Sequence, residues 1–149
     1  MANVQTLCSV FKQNILNGAE NFTPGGEILI SGTPTPVVYK IALYTALANL
    51  DATTTAYTTA NEITGTGYTA GGEVLTPIAP GLTNTTAFVS FNNVTWNPAS
   101  FTANSALIYN ATTGAAVCVL NFGSDKVATN TFTITFPVDD ASTAVIRIA

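Results

Sequence analysis

Threonine alternates with an apolar side chain at every step of Thr131-Phe132-Thr133-Ile134-Thr135-Phe136. Successive side chains of an extended strand point to opposite faces, so this run puts three apolar groups on one face and three hydroxyls on the other. No helix divides the same residues that way. Val37 to Thr45 reads likewise, with Val37, Tyr39, Ile41, Leu43 and Thr45 on one face and Val38, Lys40, Ala42 and Tyr44 on the other. Further strands are expected over Glu73 to Pro77, Thr86 to Phe91, Phe101 to Tyr109, Ala115 to Phe122 and Ala144 to Ile148. Thr112-Thr113-Gly114 reads as a hairpin turn and Gly123-Ser124-Asp125-Lys126 as the next turn. Such short strands at this spacing predict a mainly β chain, a single antiparallel β-sandwich of jelly-roll or immunoglobulin-like topology.

The first residues carry a different period. Val4, Leu7, Cys8, Phe11 and Ile15 fall on one helical face, Asn3 is placed to cap the start and Gly18 to end it. Residues 1–18 are therefore expected to form a short N-terminal amphipathic helix, packed on the domain or docking from it, and residues 19–149 the β-sandwich domain. Between Asn21 and Pro36, Thr23-Pro24-Gly25-Gly26 and Ser31-Gly32-Thr33-Pro34-Thr35-Pro36 bracket Glu27-Ile28-Leu29-Ile30. Proline cannot donate to a ladder, so this stretch reads as a loop holding at most a short edge strand. Asp51 to Gly72, rich in threonine and glycine, reads as an extended loop with a turn or short helix near Asn61 to Ile63.

At 149 residues the chain suits one domain with a core large enough to need no staple. Only 8% of its residues are charged, far below the usual quarter, so its surface must be covered by Thr, Asn, Ser, Ala and Gly. A neutral polar surface with few lysines to guard sheet edges suits a protein covered by neighbours. With Lys12, Lys40, Lys126 and Arg147 as its cations, the chain offers no basic stripe for nucleic acid. Neither a signal-peptide pattern nor an apolar run of membrane-spanning length is visible, which leads us to expect synthesis in a cytoplasm and no membrane partner. Cys8 and Cys118 are isolated among apolar neighbours and read as buried thiols rather than a disulfide framework.

The chemistry is thin. Histidine is absent, so a general base would have to be a lysine, the arginine or a carboxylate, and no such pairing with a nucleophile is visible; no catalytic residue is assigned and no enzyme is expected. Asp139-Asp140, with Asp125, could contribute oxygens to a calcium site, but the better reading of Phe136 to Ser142 is a solvated acidic loop. Trp96, with Tyr57, Tyr68 and Tyr109, could form a sugar-binding platform, although a lone Trp beside a strand end is more often core, its N–H satisfied by a loop carbonyl. Neither metal, cofactor-binding nor catalytic residues are assigned.

Several longer phrases resemble a family of virion structural proteins of tailed bacteriophages and prophages. They are Tyr39-Lys40-Ile41-Ala42-Leu43-Tyr44-Thr45, Thr55 through Gly72, Ala106-Leu107-Ile108-Tyr109-Asn110, Val119 through Lys126, and the ending from Phe136-Pro137 to Ile146-Arg147-Ile148-Ala149. Phe11 to Gly18 fits as well, whereas the proline-rich Gly25 to Pro36 segment departs from the shorter linker of the family. The resemblance implies a non-enzymatic place in the virion, foremost as a capsid decoration or cement protein on the outer shell. Its partners would be the major capsid protein and copies of itself as a homotrimer. The alternative it implies is a tail, neck or fibre-associated module, in which the Asp51 to Gly72 loop and Trp96 would meet a host glycan. If the N-terminal helix or Gly25 to Pro36 makes the contact, it would be with the capsid or a sister subunit.

Overall fold

A computed structural model describes residues 3–149. Among them the chain forms twelve strands and one helix: β1 Thr6–Leu7, α1 Ser9–Leu16, β2 Glu27–Ile30, β3 Thr33–Pro36, β4 Tyr39–Tyr44, β5 Glu73–Leu75, β6 Gly81–Thr83, β7 Thr86–Val89, β8 Val94–Trp96, β9 Phe101–Asn110, β10 Ala116–Ala128, β11 Phe132–Ile134 and β12 Ile146–Ile148. The protein is mainly β, as its alternating pattern requires. The principal sheet has the order β1-β10-β9-β4-β5, every pair antiparallel. Three smaller antiparallel sheets accompany it: β12-β7-β6, β11-β8 and the hairpin β2-β3.

The heart of the principal sheet is apolar on both faces. Ile41, Ala42, Leu43 and Tyr44 of β4 and Ala106 to Ile108 of β9 are all fully buried, so β4 is covered on both sides rather than one. Aromatic side chains join the sheets. Phe22 stacks on Tyr39 at 4.4 Å while Phe11 and Phe91 approach Phe22 edge-on, tying α1 and the chain after β7 to β4. Phe101 and Phe132 meet at 5.3 Å, and Trp96 lies edge-on to both, which fixes the β11-β8 pair against the start of β9.

The helix is shorter than its apolar period suggests. Residues before Cys8 are extended: Val4 N–H donates to Leu50 O at 2.8 Å, and Thr6 and Leu7 pair with Val119 and Cys118 of β10. Asn3 does not cap a helix; its side chain accepts from Leu50 N–H at 2.9 Å and donates to Thr45 O. The edge of β10 offers these backbone groups a ladder, and an eight-residue helix is too short to compete on its own. Its hold is Phe11, fully buried in the core, and Gly18 ends it at φ 70° as expected.

Two turns also differ from expectation. Gly123 to Lys126 bends but does not end the strand, because β10 resumes on the same partner. Asn121 faces Ser105 and Lys126 faces Ala103, leaving Phe122 to Asp125 bulged opposite Asn104, whose amide donates to Asp125 at 2.9 Å. The Gly25 to Pro36 segment is no loop but a regular hairpin. Ser31 and Gly32 both take positive φ, the two-residue turn whose twist matches the flanking strands. Pro34 and Pro36 are tolerated because no strand lies on the far side of β3.

Candidate functional site

The loop Asp51 to Gly72 is where the fold invests its polar side chains. Of the turn or short helix expected near Asn61 to Ile63 the turn is what forms, with Glu62 N–H donating to Thr59 O at 3.2 Å and Asn61 at φ 60°. β5 leaves β4 beyond Ile41, and the loop takes over that open edge: Ile63 N–H donates to Leu43 O at 3.0 Å and Thr45 N–H to Asn61 O. Elsewhere Tyr57 N–H donates to Gly114 O, and Ser100 N–H to Thr66 O. A segment that reads as loose is thus tied at three separate places.

Glu62 is its centre. One carboxylate oxygen accepts from Tyr57 Oη at 2.7 Å, the other from Tyr68 Oη at 2.6 Å and Gly71 N–H at 2.7 Å. Tyr68 Oη in turn accepts Leu43 N–H, and Tyr109 Oη donates to Gly71 O at 2.7 Å beneath a stacked Tyr57 ring. Burial and the Glu62 carboxylate both push the Tyr57 and Tyr68 phenols well above their ordinary range. At Gly72 the backbone has φ 73° and passes so near Ile41 O that a Cβ would collide with it. The carboxylate, the phenols and the backbone of Gly71 satisfy one another, and together they lock the loop.

The aromatic platform is not assembled. Trp96 is 2% exposed, inside the core, so it presents no face to a sugar. Nor does its indole meet the expected loop carbonyl, since among the described residues Nε1 has no hydrogen-bond partner. Tyr109 is buried under Tyr57, apart from Tyr68, which leans on Trp96 and Phe101. The acidic loop organises itself: Asp140 accepts from Ser142 N–H, Thr143 N–H and both hydroxyls, which lowers its carboxyl to about 2. Asp125 is taken by Asn104, and among the described residues no group of three or more His, Cys, Asp or Glu is placed to hold a metal. The calcium set Asp125, Asp139 and Asp140 is therefore not brought together. Cys8 and Cys118 are both free and buried, neighbours across β1 and β10.

Two surface features remain, and both fall on segments the sequence offered for contact, Gly25 to Pro36 and the N-terminal helix. The first is the β2-β3 hairpin, which among the described residues pairs with no other strand and leaves Leu29 70% exposed with Ile30 beside it. Its base is fixed by Asn21, whose amide donates to Glu27 O, and by Thr112, whose hydroxyl donates to Pro36 O. The second is an apolar groove of about 310 Å³ between α1 and β12, floored by Phe11 and Ile15 and walled by Leu16 and Ile148. Lys12 and Arg147 also line it. A neighbouring pocket of about 160 Å³ shares Phe11, Ile15 and Ile148 and reaches Glu20. Among the described residues no helix is long and apolar enough to cross a membrane.

No family model matches this chain, and neither a curated protein nor a solved structure was found that matches it.

Proposed function

We propose that this protein is a non-enzymatic structural protein of a tailed-bacteriophage virion, a capsid decoration (cement) protein seated on the outer shell. It is made in the cytoplasm of the bacterial host and binds the major capsid protein and copies of itself, as a homotrimer. The four sheets are read as the layers of one distorted β-sandwich. The observation that carries this reading is the preformed hairpin of Glu27 to Pro36, an arm paired with no other strand among the described residues that exposes Leu29 with Ile30 beside it. An aliphatic side chain held out on a rigid turn is an anchor waiting for a pocket, and rigidity lowers the entropy lost on docking. A loop locked at several points also suits a part that works by shape. The resemblance of the Thr55 to Gly72 and Val119 to Lys126 phrases to virion proteins supplies the setting.

The test is the copy number of this polypeptide relative to the major capsid protein in purified virions, by quantitative mass spectrometry. A one-to-one ratio or a simple fraction of it is expected. A few per cent would move the protein to the tail or neck, and absence would end the virion reading.

A further inference from the structure

The exposed arm and the apolar groove match each other in chemistry. The arm offers Glu27, Leu29 and Ile30 on one short hairpin, all with exposed side chains. The groove offers Ile15, Leu16 and Ile148 as apolar walls, with Leu16 88% exposed, and two cations among its lining residues. Those two, Lys12 and Arg147, are half of the four cations in the chain. Arg147 spends one N–H on Ser142 O, leaving the rest of its guanidinium for another acceptor. On so sparsely charged a protein, an apolar slot flanked by two cations selects an apolar segment carrying an acid, and the arm is one.

We propose that the β2-β3 hairpin of one copy docks into the α1-β12 groove of a second copy. Leu29 packs on Ile15, Leu16 and Ile148, and Glu27, on the same face of the strand as Leu29, turns toward Lys12 and Arg147. Donor and acceptor are different patches, so the contact is heterologous: each subunit gives an arm and receives one, and a ring such as a trimer closes when the rotation allows. This deepens the self-association in the proposed function by naming the surfaces that carry it. It also accounts for the regular turn at Ser31-Gly32, which holds the arm extended before it meets its partner.

Sedimentation of the purified full chain, with circular dichroism to verify folding, tests the proposal without reference to the virion. Leu29→Asp removes the arm's anchor and Leu16→Glu spoils the groove; each lies on an exposed position and leaves the core untouched. Self-association of the unaltered chain is expected to weaken roughly tenfold to a hundredfold in either variant. Mixing the two is expected to restore a one-to-one complex, because one intact arm meets one intact groove. A chain that stays monomeric at high concentration overturns the proposal. So does an oligomer that survives Leu29→Asp, or variants that fail to complement each other. Failure here with a shell-like copy number in virions would turn the arm toward the capsid protein and leave the decoration reading standing.

Discussion

Tyr68 donates its hydroxyl to Glu62 at 2.6 Å while accepting the backbone N–H of Leu43 at 2.9 Å, so a single phenol couples the loop to the edge of β4. Glu62 holds Tyr57 and Gly71 as well. Glu62→Ala leaves these donors to water or to nothing, and hydrogen bonds to a charged acceptor are the stronger kind. The expected loss is about 2–4 kcal/mol, a fall in melting temperature of roughly 5–12 °C for a domain of this size. Limited proteolysis should then cut between Asp51 and Gly72 first. An unchanged melting temperature and intact loop would show that the backbone bonds hold it without Glu62.

Alkaline titration reads the same network from the other side. All five tyrosines have phenols raised above their ordinary value of 10, in each case chiefly by burial, with the Glu20 carboxylate adding to Tyr39 and Glu62 to the other four. A raised folded-state pKa means the native protein keeps protons that the unfolded chain has released. That stability is present in full below pH 10 and is lost as pH rises through the folded values. Tyrosinate absorbance should therefore appear together with unfolding, and Glu62→Gln should shift it to lower pH. Free tyrosinate near pH 10 with an unchanged circular dichroism spectrum would count against this burial.

Much of the β architecture is written in side-chain alternation, because a face either meets a core or meets water. Thr131 to Phe136 is of this kind, its threonines exposed and its apolar residues turned inward, whereas the strands at Val37 to Thr45 and Phe101 to Tyr109 appear close to their expected limits but are buried on both faces over most of their length. What alternation cannot carry is who pairs with whom. Val4 to Cys8 satisfies a helical period and still becomes extended, since β10 has an edge to give it. Thr33-Pro34-Thr35-Pro36 looks hostile to any ladder yet forms an outer strand, where missing donors do no harm. The same blindness applies to function. Glu62 lies in a threonine-rich stretch with no flanking signal, and its partners Tyr57, Tyr68 and Gly71 come together only through the path of the loop. Leu29 and Ile30 look like core residues in sequence and are exposed in the fold, while Trp96, weighed as a sugar platform or as core, is buried.

The two thiols give a probe of folding. Burial, and then the charge of Asp51, pushes Cys8 up to about 11, and burial raises the fully enclosed Cys118 further. Thiolate is the reactive form, so both should resist alkylation in the native protein at mildly alkaline pH. Labelling is expected to occur only as the chain opens, at the same rate for both sites. Rapid modification of Cys8 alone would show that β1 and the start of α1 peel from β10 while the core stays closed.

Glu20 sets the pH response on the neutral side. Tyr39 Oη donates to its Oε2 at 2.7 Å and Asn110 Nδ2 at 3.2 Å, but Oε1 is buried without a hydrogen-bond partner among the described residues. Burial raises the carboxyl above 4.5, with the bonds from Tyr39 and Asn110 opposing the rise. A raised carboxyl favours folding below the unfolded value and loses that advantage as pH climbs through the folded one, so this group weakens the protein toward neutrality. Asp140 acts oppositely, since its depressed carboxyl stabilises above 3.8 and fails as pH falls toward 2. Glu20→Gln keeps an oxygen for Tyr39 and removes the buried charge. It should raise the unfolding midpoint by a few degrees at pH 7, with the gain shrinking as pH falls toward 4.5, because the native glutamate with its raised carboxyl becomes protonated above that pH. A variant less stable at pH 7 would mean that the ionised carboxylate is worth more to Tyr39 and Asn110 than its burial costs.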